Sequence, residues 1–180
     1  MNFVQPIRDP EEIQQLKEYF KEKSLRNYIL FIIGINTGLR ISDILKLRVG
    51  DVKGSHISMR EKKTGKQKRI QITAALKREL KWFIEVRKDN EYLLQSRQGR
   101  NRPIGRSMAY KILSGAAAEF GLDEIGTHTL RKTYGYHMYM QTKNIALLME
   151  IFNHSSEKVT LRYIGVNQDA MDKAMTRFKI

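Results

Sequence analysis

Two arginines, a lysine, two histidines and a tyrosine in this sequence have the side-chain types needed to hold and break a phosphodiester. In "HTLRKT" His128 and Arg131 stand three residues apart, which makes them neighbours on one helical face. Arg40 follows directly on an apolar run, and His154 lies nine residues before Tyr163 in "NHSSEKVTLRYIGV". Taken singly, each has an ordinary explanation: a satisfied structural histidine, an arginine snorkelling to water, a tyrosine packed at a helix end. Together they suit one task. The arginine fork matches two phosphate oxygens, and the charge of a phosphoryl transition state needs such fixed donors. A tyrosine hydroxyl then serves as nucleophile. Side-chain cations supply what a metal would otherwise bring, and no carboxylate cluster has the spacing of a two-metal nuclease.

Composition points to the same partner. Lys and Arg number 33 against 19 acids, a formal charge of +14. Such an excess favours a polyanion, nucleic acid above all, because cationic side chains release counterions from phosphates. The chain has no cysteine, which excludes disulfides, thiolate chemistry and Cys-based zinc sites. The N-terminus lacks the pattern of a signal peptide, and the longest apolar run, "YILFIIGI", is too short for a bilayer, which takes about 18 residues or more. These features lead to the expectation of a cytoplasmic, nucleoid-associated protein with no membrane partner.

The elements that must position these groups are mostly helical. Asp9, Pro10 and Glu12 form a helix start ahead of an apolar stripe of Ile13, Leu16, Tyr19 and Phe20. Ser24 is expected to cap a buried helix from Leu25 to Thr37, closed by Gly38. Ser42 and Asp43 are expected to start a short helix reaching Leu47. Ile57 and Met59, then Ile70 and Ile72, alternate on either side of a polar turn from Lys62 to Lys68 with Gly65 in its loop, the pattern of a hairpin. Thr73 caps a helix bearing Leu76, Leu80, Phe83 and Ile84. After an Arg- and Gly-rich loop, Ser107 is expected to open a helix ended by Gly121. Four helical segments should follow, near 127–141, 143–152, 156–163 and 168–178. The predicted fold class is mostly α with a small antiparallel β-sheet (α+β), in a single domain.

With these residues in view, the chain resembles the catalytic domain of the tyrosine recombinases, the phage-integrase family. "TGLRISDILKL" is similar to the family's first arginine box, with Arg40 and Asp43 in place. "HTLRKT" resembles its second box and supplies His128 and Arg131. "NHSSEKVTLRYIGV" resembles the third box and the tyrosine segment, supplying His154 and Tyr163, although the glycine that usually precedes this histidine is Asn153 here. The family's lysine sits in a hairpin turn. In "KKTGKQKRIQI" Lys63 is the best match and Lys66 the rival.

The resemblance implies a tyrosine-recombinase catalytic-domain-like fold over residues 1–180, without the helical core-binding domain that precedes it in the family. It implies site-specific cleavage and rejoining of double-stranded DNA through a covalent 3′-phosphotyrosine. Tyr163 would be the nucleophile, and Arg40 and Arg131 would hold the phosphate. Lys63 would be the acid for the leaving 5′-oxygen. His128 would assist proton transfer, and His154 would hydrogen-bond the phosphate. Asp43 would orient a neighbour, or act only as a charge in the first turn of its helix. No cofactor is implied, since the phosphotyrosine bond conserves the energy for rejoining. The implied partners are DNA and further copies of the chain in a tetrameric synapse on DNA, with a full-length recombinase as another candidate. Two alternatives remain open at this stage: a type IB topoisomerase-like enzyme, and a non-catalytic DNA-binding regulator that keeps the fold.

Overall fold

The computed structural model of the chain describes residues 4–60, 63, 65–122 and 124–179. Lys62 and Thr64 of the expected hairpin turn lie outside the described residues. Nine α-helices and one two-stranded antiparallel sheet are formed among the described residues.

Helix α1 (Pro10–Lys23) begins where Asp9 accepts a hydrogen bond from the Glu11 backbone, with proline in its first turn. Helix α2 (Leu25–Thr37) ends at Gly38, whose φ of 61° is the left-handed cap that glycine adopts without penalty. Ser24 stands at the start of α2, but its side chain makes no capping bond there, while its N–H closes α1 onto the Phe20 carbonyl. Helix α3 is shorter and earlier than expected. It spans Ile41–Ile44 with Arg40 as its N-cap, and tight turn bonds carry the chain on through Leu47. A single 3-10 turn, Val49–Val52, follows.

Strands β1 (His56–Arg60) and β2 (Gln67–Gln71) pair with Ile57 opposite Ile70. Ile72 falls just beyond β2, where it is buried. Helix α4 (Ala74–Ile84) is capped by the Thr73 hydroxyl. Helix α5 (Arg106–Glu119) starts after Gly105, ahead of the expected Ser107, and the chain turns at Phe120 and Gly121. The C-terminal part is α6 (Thr129–Thr142), α7 (Ile145–Phe152), α8 (Glu157–Tyr163) and α9 (Val166–Arg177).

Two hydrophobic clusters hold these elements. The larger is centred on α2, where Ile29, Leu30, Phe31, Ile32 and Ile33 are almost wholly buried against α1, α3, α4, α5 and the sheet. The smaller consists of Tyr136, Leu148, Phe152 and Ile164, packed with Tyr134, Met138, Ile151 and Tyr163. Helix α6 joins them, giving Leu130 to the first and Tyr136 to the second. Its approach to α7 and α8 depends on Gly135. A Cβ there would stand 2.6 Å from the Phe152 ring and 2.7 Å from Ile164, too close for either to remain in place.

The extended segment before α1 is strapped across α6. The Ile7 N–H donates to Thr133 Oγ1 (2.9 Å), His137 Nε2 donates to the Ile7 carbonyl (3.0 Å), and Lys132 Nζ donates to the Val4 carbonyl (2.6 Å). Arg8 then reaches the start of α9 through Asp169 at 2.6 Å. No helix of the described residues is long and apolar enough to cross a membrane.

Candidate active site

Arg131 lies at the centre of the site and is only 3% exposed. A buried guanidinium is costly unless its donors are satisfied. Here Nη1 donates to the carbonyl of Gly38 and Nη2 to that of Phe152 at 3.2 Å. Its charge also lies over the Phe152 ring, 4.3 Å from the centroid. The carbonyl anchors come from the C-terminal ends of two helices, α2 and α7. They fix the plane of the fork and add no negative charge to it. Both depend on local backbone form. Gly38 takes positive φ, and a Cβ on it would meet the Tyr134 ring at 2.4 Å.

Tyr163 is the last residue of α8 and packs edge-on against Phe152 and His154, with ring centroids 5.5 and 5.1 Å away. Lys132 Nζ lies 5.2 Å from the centre of the tyrosine ring. Burial pushes the Tyr163 hydroxyl above its usual pKa. Arg131 and Arg40 pull in the opposite direction, Arg131 also through a side-chain hydrogen bond to the tyrosine. The hydroxyl therefore stays protonated at neutral pH while two arginines stabilise its anion.

His154 follows the turn that ends α7. Its Nδ1 is 3.2 Å from Thr160 Oγ1, and that hydroxyl donates its only proton to the Ser156 carbonyl at 2.9 Å. His154 Nδ1 must then be the donor in the first bond, and in the neutral ring Nε2 is an acceptor. Burial lowers the His154 pKa, and the charges of Arg131, Arg40 and Lys63 lower it further.

His128 does not lie inside α6, as the expected 127–141 helix required, but is its N-cap, with an exposed residue surface. Its pKa is lowered chiefly by desolvation of the ring, then by Arg106, Lys132, Arg131 and Lys63. Both histidines are thus held towards the neutral form. Asp43 is fully buried in α3, one turn from Arg40, and its N–H donates to the Arg40 carbonyl. Asp43 also lies in the first turn of α3, so its position fits both an orienting carboxylate and a first-turn charge.

The structure therefore brings Arg40, Lys63, His128, Arg131, His154 and Tyr163 into one electrostatic neighbourhood. Lys63 is exposed in the hairpin, close enough to act on both histidines. Lys66, its rival, donates to Asn153 Oδ1 at 2.6 Å. Phe152 and Lys132 were not among the residues expected from the sequence, while Thr160 is the threonine one helical turn before Tyr163 in the third-box segment. The stacking of Phe152 on Arg131 had no sequence signal. Among the described residues no group of three or more His, Cys, Asp or Glu side chains is arranged to hold a metal ion.

Comparison with known proteins gives the family and the fold. The pattern described as the Phage integrase family matches residues 8–170. The chain is 51% identical over 179 residues to a probable integrase/recombinase, YoeC, of Bacillus subtilis (strain 168), covering 99% of this chain and 98% of that one. It superposes on a crystal structure of XerA recombinase with a TM-score of 0.76 at 21% identity, covering 98% of this chain and 67% of that chain. It superposes on lambda integrase (75–356), solved as a dimer bound to a COC′ core site, with a TM-score of 0.71 at 18% identity. That match covers 89% of this chain and 59% of the other. The two crystallised chains share its fold and are considerably longer.

Proposed function

The chain belongs to the phage integrase family, and on that premise we propose that it cuts and rejoins double-stranded DNA in site-specific recombination, through a covalent 3′-phosphotyrosine. The reading is carried by one observation: a buried, carbonyl-anchored Arg131 hydrogen-bonded to Tyr163, with Arg40 close enough to stabilise the same oxygen.

In this mechanism the Tyr163 oxygen bonds to phosphorus as the bond to the 5′-oxygen breaks. Arg40 and Arg131 hold the non-bridging oxygens, where charge accumulates. Neutral His128 takes up the tyrosine proton, which the raised pKa of Tyr163 keeps in place until attack. Lys63 protonates the departing 5′-oxygen. His154 bonds the phosphate through Nε2, which takes a proton from solvent as the anion approaches. Asp43 steadies the α3 turn that carries Arg40. The phosphotyrosine retains the energy of the broken bond, so a 5′-hydroxyl reverses the step without a nucleotide.

The exposed apolar residues Met171 and Met175 of α9 and Phe178 just beyond it support assembly of several copies on DNA, up to a tetrameric synapse. The excess of 14 positive charges supports DNA as the partner.

Trapping on a nicked suicide DNA in excess EDTA tests the mechanism. A covalent protein–DNA product is expected from the parent chain and none from Tyr163→Phe. Product that persists with Tyr163→Phe overturns the assignment of the nucleophile. Cleavage lost in EDTA and restored by magnesium points to a nuclease. Relaxed supercoils without recombinants would move the reading to a topoisomerase-like enzyme, and DNA binding with no covalent product would move it to a regulator.

A further inference from the structure

The turn that closes α7 receives hydrogen bonds from two other elements. Lys68 Nζ donates to the Ile151 carbonyl, Arg131 to the Phe152 carbonyl at 3.2 Å, and Lys66 Nζ to Asn153 Oδ1 at 2.6 Å. The His154 N–H donates back to the Met149 carbonyl at 2.9 Å. A helix C-terminus leaves carbonyls without intrahelical donors and carries partial negative charge, so cations are stabilised there. Two of these three cations belong to β2 and the loop before it. The hairpin is therefore joined to the α7 turn by side chains on one edge.

Asn153 is an unusual residue for its position. Its φ is 55° and its ψ 50°, the left-handed conformation in which glycine is most favourable and asparagine is tolerated. Asparagine at this cap brings one thing that glycine lacks, an amide oxygen. That oxygen holds Lys66.

From this geometry we infer that Asn153 and Lys66 form a clasp closing the β1–β2 hairpin onto the α7 turn, and that the clasp positions Lys63 over the reacting phosphate. Lys66 is then a positioning residue, and Lys63, three residues earlier, is the acid. The clasp joins the hairpin to the residue that precedes His154, so the lysine and the third-box histidine are set by the same turn. The catalytic half of this inference rests on the proposed function, while the structural half does not.

The test uses cleavage of ordinary nicked DNA against the same DNA with a 5′-bridging sulfur, which leaves without needing a proton. Lys63→Ala should slow cleavage of ordinary DNA by about 100-fold or more, the range of a general acid, and the sulfur substrate far less. Lys66→Ala and Asn153→Gly should each cost about 3- to 10-fold on ordinary DNA, the worth of one hydrogen bond. That loss should also disappear with sulfur. Neither change should add to Lys63→Ala. Asn153→Gly relieves the backbone conformation while removing the amide, so poor folding does not account for its loss. Equal losses on both substrates overturn the positioning role. A large, sulfur-rescued loss in Lys66→Ala with little effect of Lys63→Ala overturns it too, and makes Lys66 the acid.

Hydrogen exchange reads the clasp without DNA. Asn153→Gly should speed exchange of the β2 amides and leave α2 unchanged. Unchanged β2 exchange overturns the clasp whether or not the chain cuts DNA. Failure of the proposed function is seen separately, as absence of covalent product from the unsubstituted chain.

Discussion

The two packed regions of this molecule are built from different materials. Around α2 the interior is mostly hydrocarbon, with Ile29, Leu30, Phe31, Ile32 and Ile33 nearly inaccessible and Asp43 the buried charged residue beside them. Around α7 and α8 the buried apolar set among the described residues is four, and aromatic rings, the buried Arg131 and His154 pack with it. The first region supplies Arg40 and Lys63, the second His154 and Tyr163, and α6 carries His128 and Arg131 along the seam. The larger cluster thus presents Arg40, and a smaller, more polar cluster presents Tyr163, the proposed nucleophile. Local stability follows buried apolar contact, so the side that carries Tyr163 is expected to open at lower free energy.

Substitutions at the two centres should separate these roles. Ile33→Ala removes a fully buried side chain from the large cluster and should cost about 2–5 kcal/mol of global stability, read by denaturant unfolding. Gly135→Ala forces a methyl against Phe152 and Ile164 and should cost about 1–3 kcal/mol. Its cost should fall first on α7 and α8. Hydrogen exchange should rise there before it rises in α2, with covalent product lost while the chain remains folded. Uniform acceleration of exchange in Gly135→Ala would show one cooperative core and end the comparison.

The same contrast explains what was legible in the sequence. Helices α1, α2 and α4 were readable because their ends carry local signals: Asp9 with Pro10, Gly38, and Thr73. The hairpin was readable from Ile57 and Ile70, which pair across it. Helix starts without a side-chain cap were read late. The α3 helix begins at Ile41, where the Arg40 carbonyl accepts from the Asp43 and Ile44 N–H groups, and α5 begins after Gly105, whose side chain offers no cap. The strap of residues 4–8 over α6 was invisible, since Ile7 and Thr133 are 126 residues apart. At the site, residue types suggested a phosphodiester, and the three motif boxes named the positions. The anchoring of Arg131 was not legible, because hydropathy assigns an arginine to water and its acceptors, Gly38 and Phe152, are 93 and 21 residues away.

A smaller effect should appear with pH. His128 and His154 both have lowered pKa values, starting from 6.5. The unfolded chain therefore binds protons that the folded site resists as pH falls through 6.5. Stability contributed by the neutral histidines is present above that pH and lost below it. Cleavage that needs neutral His128 should follow the same direction, with its acid limb below pH 6.5. His128→Ala should remove that limb from the rate profile. An acid limb above 6.5 in the parent chain would show that these histidines are not held neutral by their cationic surroundings.

The smallest change in the folded chain is expected at α9, which gives only Val166, from its first turn, to the small cluster. Arg8 holds its first turn through Asp169, and from Met171 onwards each described residue is exposed. Met171 and Met175 are four apart, so they share a helical face, and they are 54% and 69% exposed. Side chains this exposed add little to the stability of a monomer, and replacing both by serine should change it by no more than about 0.5 kcal/mol. An apolar face left uncovered beside a charged one is instead suited to contact with another molecule. If that molecule is a second copy of the chain on DNA, Met171→Ser with Met175→Ser should leave the covalent product of a single half-site intact. The same pair of changes should lower the number of chains bound per full site, measured by light scattering of the DNA complex. A marked fall in the monomer's thermal midpoint would instead place α9 against its own chain, and the small cluster would then extend further along the C-terminus than Ile164 and Val166.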